Sequence, residues 1–204
     1  TYSTVKIGNQ WWMAENLATS TYNDGTPVTL EENRAYWLER LSQAYCWYEN
    51  DKATYGDTYG ALYNWHTVRG GNLCPDGWHI PNDDEWKELE MYLGMTQSEA
   101  DDSGFRGTNE GSKLAGNADL WNDGGLKNNS EFGTSGFKAL PGGNRSSNLG
   151  DFNSMGLNGA WWSSSEYSRN NYAWSRNIYY NLSGLERIEC DKDAGLSIRC
   201  IKDE

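Results

Sequence analysis

No stretch of this sequence reaches the roughly 18 consecutive apolar residues that a membrane-spanning helix needs, and hydrophobic residues make up only 37% of the chain. No two of its cysteines form a close CxxC pair, which argues against a zinc knuckle or a thioredoxin-type centre. Only two histidines are present, His66 and His79, and neither an HExxH helix nor a GxSxG nucleophile elbow occurs. Nothing therefore selects a metalloprotease or a serine hydrolase, and no catalytic residue, cofactor or metal ligand is expected. Cations are scarce too: 17 Lys and Arg face 29 Asp and Glu, a net charge of −12 with a pI near 4.6. Nucleic acids bind through basic patches that replace phosphate counterions, so they are disfavoured as partners, as is an anionic membrane surface. The charge favours solubility and leaves neutral or cationic partners.

What the chain does have is aromatic mass. It carries 11 Trp and 13 Tyr among 204 residues, enough to build a core from few bulky side chains. Such a chain is not disordered. Its 23 glycines point to many turns and long irregular loops. We expect a single domain over residues 1–204, monomeric, with no repeat of fixed period.

The strongest local signal is a helix over Asp83–Leu93. Asn82 is a good N-cap after Pro81, Asp83, Asp84 and Glu85 sit where the helix dipole favours negative charge, and Gly94 follows the end. Trp86, Leu89 and Leu93 share one buried face. A short helix is compatible with Gln97–Asp101 and another with 31–43, where Leu38 and Leu41 lie at i and i+3. Residues 2–7 and Trp11-Trp12-Met13 read as a hairpin turned at Gly8-Asn9. Ala44–Tyr48 reads as a strand followed by a polar loop, and Tyr59–Val68 as a second aromatic run. Residues 103–160 form a Gly/Asn/Ser-rich excursion with short internal strands, pinned by Phe137 and Leu140. Strands are expected at 160–165, 173–180, 185–190 and 196–201. In the last, Leu196, Ile198 and Cys200 alternate with Ser197 and Arg199.

The four cysteines are Cys46, Cys74, Cys190 and Cys200. They allow three pairings, and spacing does not choose between them.

The segments Val5–Leu17, Tyr45-Cys46-Trp47-Tyr48, Tyr59–Trp65, Cys74–Pro81, Gly136–Gly143, Trp161–Glu166 and Ser197–Cys200, in this order, resemble the Fibrobacter succinogenes major paralogous domain over nearly the whole chain. The resemblance implies an α+β, C-type-lectin-like fold akin to formylglycine-generating-enzyme domains, with one main helix, short antiparallel strands and long loops. In that layout a cysteine ahead of the main helix joins one in the terminal strand. The favoured pairing is therefore Cys74–Cys200, with Cys46–Cys190 beside it. Such bonds persist in oxidising compartments. The resemblance further implies a secreted or lipid-anchored protein on the outside of a Gram-negative, Bacteroidetes-like bacterium. The chain opens at Thr1 within a strand-like segment, and the expectation is that an export signal has been removed, with membrane attachment only through an N-terminal anchor absent from these residues. No activity comes with the resemblance.

Each source of chemistry has a plainer explanation. His66 and His79 suit structural hydrogen bonds. Formylglycine-generating relatives oxidise through cysteine and metal, but Cys190 and Cys200 read as structural. Glu15, Glu85 and Glu166 are the carboxylates to weigh for glycosidase chemistry, which needs two acids at a set separation; Glu85 is explained by helix capping. Sugar-binding lectins of this fold hold calcium with an EPN or QPD tripeptide and a later WND. Only Trp121-Asn122-Asp123 is present. Asn50-Asp51 with Asp57, Asp101-Asp102, and Asp191 with Asp193 are the candidates for a structural calcium, which takes 6–8 oxygen ligands.

The segment from Glu166 to Asn181 is dense in Tyr, Asn, Ser and Arg, the vocabulary of antibody paratopes. It also resembles the variable region of diversity-generating retroelement proteins. This predicts a non-enzymatic surface module that binds a protein or glycan through its C-terminal face, with Tyr167, Arg169, Asn171, Tyr172, Ser175, Asn177, Tyr179 and Tyr180 as contacts and Trp121 nearby. Trp161, Trp162 and Trp174 are expected in the core. The alternatives are a structural cell-envelope domain without a saturable ligand and an accessory of a carbohydrate-active enzyme.

Overall fold

Gly8 at φ +60 turns the chain between β1 (Thr4–Ile7) and β2 (Gln10–Met13), which pair antiparallel with Ile7 opposite Gln10. The computed structural model describes residues 1–39 and 42–203. The chain continues through β3 (Thr29–Leu30), α1 (Arg34–Glu39), β4 (Ala44–Cys46), α2 (Lys52–Tyr59), β5 (Leu62–Tyr63), α3 (Trp65–Val68) and β6 (Trp78–His79). Next come α4 (Asp83–Leu93), α5 (Gln97–Asp101), β7 (Gly104–Arg106) and α6 (Glu110–Leu114). The remainder is β8 (Gly142–Arg145), β9 (Phe152–Met155), β10 (Asn158–Glu166), β11 (Tyr172–Tyr179), β12 (Leu185–Asp191) and β13 (Ile201–Lys202). These elements make a mixed α/β arrangement with three sheets, ordered β1-β2-β13-β6, β7-β12-β11-β10-β8-β9 and β3-β4-β5.

Helix α4 has the bounds its capping signals dictate. Asn82 accepts from the backbone of Asp84 and Glu85, and the Glu85 carboxylate reaches back to the Asn82 N–H, a complete capping box. Trp86, Leu89 and Leu93 are buried. The short helix α5 also falls where expected, capped by Thr96. Around residue 34 the helix is shorter than the 31–43 reading, and Leu41 of that reading lies outside the described residues. The polar stretch after Tyr48 is a 3-10 turn and then α2, not a loop, because Asp51 caps the helix by accepting from Thr54. The aromatic run of Tyr59–Val68 ends in α3, capped by Asn64.

The last strand is confined to Ile201–Lys202. Residues 195–197 instead make single bridges to three different segments, Arg145, Tyr63 and Trp161. A chain passing between layers satisfies its backbone groups piecemeal rather than along one ladder.

Cys74 and Cys200 form a disulfide across 126 residues. The expected Cys46–Cys190 bond is not made, and both thiols are free. Cys46 packs with Trp37, Tyr48 and Leu62 beneath the three-stranded sheet, whereas Cys190 lies on β12 against a different apolar cluster.

An ionic network fastens α4 to the six-stranded sheet. Asp83 accepts from Arg176 at 2.9 Å and from Arg187 at 2.6 Å, while Glu90, fully buried, accepts from Arg106 at 2.7 Å and also from Arg176. Three guanidinium groups thus face two carboxylates. Burial opposes the charge on Asp83, but the hydrogen bonds and charges of Arg187 and Arg176 outweigh it and hold its pKa down at about 2.

Candidate functional site

The C-terminal residues expected to form one contact face are divided by the sheet. Side chains alternate along β11. Trp174, Arg176 and Ile178 face α4, and Ser175, Asn177 and Tyr179 face the other side. Ser175 is fully buried and donates to the Ile188 carbonyl, so it is no contact. Asn177 and Tyr179 both donate to Glu186, at 3.3 and 2.6 Å. Burial, followed by that carboxylate, pushes the Tyr179 phenol well above its ordinary pKa. Tyr180 packs partly against the second core cluster. Trp121 is 2% exposed, donates to the Gly116 carbonyl and belongs to the core, so it too is excluded as a contact.

Tyr167, Arg169, Asn171 and Tyr172 gather at the opposite end of β11, more than about 20 Å away at about 3.3 Å per residue. There Arg169, Asn170 and Asn171 are exposed on the turn between β10 and β11. The turn is supported from beneath. Tyr167 meets Trp174 edge to face at 4.8 Å, Arg187 lies 3.5 Å from the centre of the Trp174 ring, and Lys192 donates to the Asn170 carbonyl at 2.6 Å. Trp161 and Trp162 are core residues, as expected, whereas Trp174 is half-buried under Arg187.

The reactive groups are committed elsewhere. His79 lies between Asp203 at 2.6 Å and Glu85 at 2.7 Å, and His66 is 2.9 Å from Asp193. Glu166 pairs with Lys192 and Glu15 with Ser3, so each carboxylate singled out in the sequence has its own local partner. Burial pushes the thiols of Cys46 and Cys190 up to about 12, which leaves little thiolate at neutral pH. Among the described residues no three His, Cys, Asp or Glu side chains converge as a metal cluster. Of the calcium candidates, Asp51 caps α2, Asp101 pairs with Lys87 and Asp193 with His66.

A cavity of 620 Å³ lies away from both histidines and both free thiols, and Glu15 is on its wall. Four separate stretches wall it: the N-terminal segment, α2, the backbone near Asn117, and Lys138 with Leu140. Its floor is Asn16, 5% exposed and saturated with hydrogen bonds. The Asn16 amide oxygen accepts from Trp161 at 2.9 Å and Arg199 at 2.7 Å, and its nitrogen donates to the Tyr59 carbonyl at 2.9 Å and Ser197 at 3.3 Å. Arg199 is fully buried and rests 4.3 Å from the centre of the Phe137 ring. Burial lowers its pKa to about 9, with the nearby Glu15 charge opposing that fall.

Two wall residues, Asn117 and Lys138, adopt left-handed backbone at φ 52 and 58. For a non-glycine residue such backbone costs on the order of 1–3 kcal/mol and persists only where surroundings enforce it. Here Arg199 holds the carbonyls of Phe137 and Lys138, and a Cβ on Gly116 would come within 2.6 Å of the Lys138 Cα. Gly60 closes the far edge at φ +73, where a Cβ would lie 2.7 Å from the Leu17 carbonyl. The result is an amphipathic bowl: Tyr2, Ala14 and Leu140 give apolar wall, and Glu15, Asp57 and Lys138 give charges of both signs. The sequence pointed to Glu15 only as an isolated acid and to Asp57 only as a calcium candidate, and it gave no sign of Asn117 or Lys138. The one available signal was Glu15-Asn16, two polar residues inside the apolar stretch Trp11–Leu17.

The family model of the Fibrobacter succinogenes major domain matches residues 5–202. No curated protein and no solved structure matches the chain.

Proposed function

The chain belongs to the Fibrobacter succinogenes major domain family, and on that premise we propose that it is a non-catalytic binding module of the bacterial cell surface whose ligand enters the 620 Å³ cavity. One observation carries the reading: the bowl is a 620 Å³ concavity with two left-handed non-glycine residues on its wall, Asn117 and Lys138, the second held through its carbonyl by the buried Arg199. Strain of this kind concentrates at ligand sites, and a concave, mostly apolar pocket with a few convergent polar groups is where small ligands bind. The engagement of both histidines and the raised pKa of both thiols support binding rather than turnover. The Cys74–Cys200 bond supports an extracellular or outer-membrane setting. A C-type-lectin-like arrangement is part of the same proposal, supported by that bond tying the approach to α4 to the end of the chain.

The test is a glycan and peptide array probed with the wild type, with Leu140→Trp to fill the bowl, and with Lys138→Glu to invert the charge of an exposed wall residue. Spots lost in both variants support the reading. Spot patterns unchanged in both would sink it.

A second reading is favoured by the supported, exposed turn Ser168–Asn171: a protein partner docks there, and the turn is diversified between related copies. Sequencing the 3′ end of the gene across isolates tests it. Changes concentrated at 167–172 support it, and even, low variation along 144–200 sinks it.

A further inference from the structure

Tyr92, on the outer side of α4, is 65% exposed, the most exposed large aromatic among the described residues. Its ring lies flat on the backbone of the β1–β2 turn. A Cβ built on Gly8 would meet the Tyr92 ring at 2.9 Å from Cδ2, 3.1 Å from Cγ and 3.4 Å from Cε2. A side chain on residue 8 would push the ring away, and glycine's φ of +60 also suits the turn. One face of the ring is thus sealed against the protein and the other is open to solvent. A second aromatic, Trp11 on β2, is 42% exposed.

A groove links them. One hollow of 460 Å³ contains Tyr92 and a second of 180 Å³ contains Trp11, and both are lined by Asn9, Gln10 and Glu88. Glu85, Glu88 and Tyr92 stand at i, i+3 and i+7 on α4, on the stripe beside the buried Trp86, Leu89 and Leu93. Glu88 is exposed, and its carboxylate has no hydrogen-bond or ion-pair partner among the described residues. Asp203 and Glu85, with His79 between them, and Lys202 complete the lining or border of the second hollow.

We propose that this groove is a second binding site, independent of the bowl, for a neutral glycan chain that stacks on Tyr92 and Trp11 and donates hydroxyl hydrogen bonds to Glu88. Each part of the groove meets a matching part of a sugar. A flat ring with one sealed face offers a rigid apolar platform to the C–H face of a pyranose, at little cost in side-chain entropy. A carboxylate is an acceptor only, so hydroxyl donors satisfy it, and charge-assisted bonds of that kind are the stronger ones. The acidic lining repels uronic and sialic acids, which sets the specificity toward uncharged chains. Two adjoining hollows that share Asn9, Gln10 and Glu88 suit an extended oligosaccharide rather than a monosaccharide.

Native affinity electrophoresis of the whole protein tests this, through gels containing xylan, mannan, laminarin or hydroxyethylcellulose, with polygalacturonate as the anionic comparison. The expected result is retardation by at least one neutral polysaccharide. Tyr92→Ala and Trp11→Ala, both exposed and so compatible with folding, should each weaken it on the order of tenfold, the effect of losing one stacked ring. Glu88→Gln should weaken it less, whereas loss of retardation in Leu140→Trp with no loss in Tyr92→Ala places the glycan in the bowl and overturns the proposal. Retardation by none of the neutral gels, retardation by polygalacturonate alone, or equal retardation of Tyr92→Ala and the wild type at unchanged melting temperature overturns the proposal.

Discussion

Arg187 grips Asp83 with two nitrogens, Nε 2.9 Å from Oδ1 and Nη2 2.6 Å from Oδ2, across 104 residues of sequence. This planar clamp is the centre of the network that fixes α4 to the sheet. Removing one partner of a buried pair leaves the other charge desolvated. Arg187→Leu should therefore lower stability by about 3–5 kcal/mol, read from the urea midpoint at constant slope. A loss below about 1 kcal/mol, the scale of an exposed pair, would show that the clamp contributes little.

The same pair sets the acid response. The pKa of Asp83 is depressed from 3.8 to about 2 in the folded protein, so its contribution is complete above the unfolded value and is lost as pH falls toward the folded one. Between these values the wild type should lose stability more steeply than Asp83→Asn, which starts lower but has no such group to protonate. Parallel melting curves for the two proteins over that range would contradict this.

His79 works in the opposite direction. Burial disfavours its protonation, yet the hydrogen bonds to Asp203 and Glu85 prevail, and its pKa is raised above 6.5. Its contribution is full below the unfolded value and disappears as pH rises through the higher folded one. The pairs are partly exposed, so the effect is about 0.5–1 kcal/mol. The melting-temperature difference between wild type and His79→Gln should shrink as pH rises from 6 toward 9; a constant difference would leave the imidazolium without a role.

Closing a loop of 126 residues makes the Cys74–Cys200 bond a large term. By the chain-entropy argument, Cys74→Ser with Cys200→Ser should cost about 4–5 kcal/mol. Native protein should react slowly with a thiol reagent at pH 8 and release two equivalents once unfolded, from Cys46 and Cys190. Rapid titration of both thiols in the native state would contradict the burial of Cys46 and the raised pKa of both.

Gly60 reports on the bowl. With φ at +73 and a carbonyl 2.7 Å from the position of any Cβ, Gly60→Ala should cost more than about 1 kcal/mol. It should also weaken whatever the cavity binds. An unchanged denaturation midpoint would mean that the edge of the bowl can move freely.

Much of this architecture was legible because it is local. The caps Asn82 and Gly94, the acidic first turn and the spacing of Trp86, Leu89 and Leu93 fixed α4 within a single stretch of chain. The Gly8-Asn9 turn fixed the opening hairpin in the same way. What was misread depended on partners far away. Trp121 reads as surface because it stands in a polar stretch, yet it fills the core beside Leu126 and Phe137. Ser175 reads as a paratope serine, yet β11 turns it inward.

By itself, then, the sequence determined the elements whose hydrogen bonds and caps close within a few residues, and the family. Tertiary structure decided which side chains meet: the Asp83–Arg187 clamp, the bowl drawn from four segments around Asn16 and Arg199, and the pressing of Tyr92 onto Gly8. The physical reason is that capping and turn energies depend on neighbours in sequence. Burial, charge pairing and concavity depend on neighbours in space, and in this chain Asn16 and Arg199, 183 residues apart, are such neighbours.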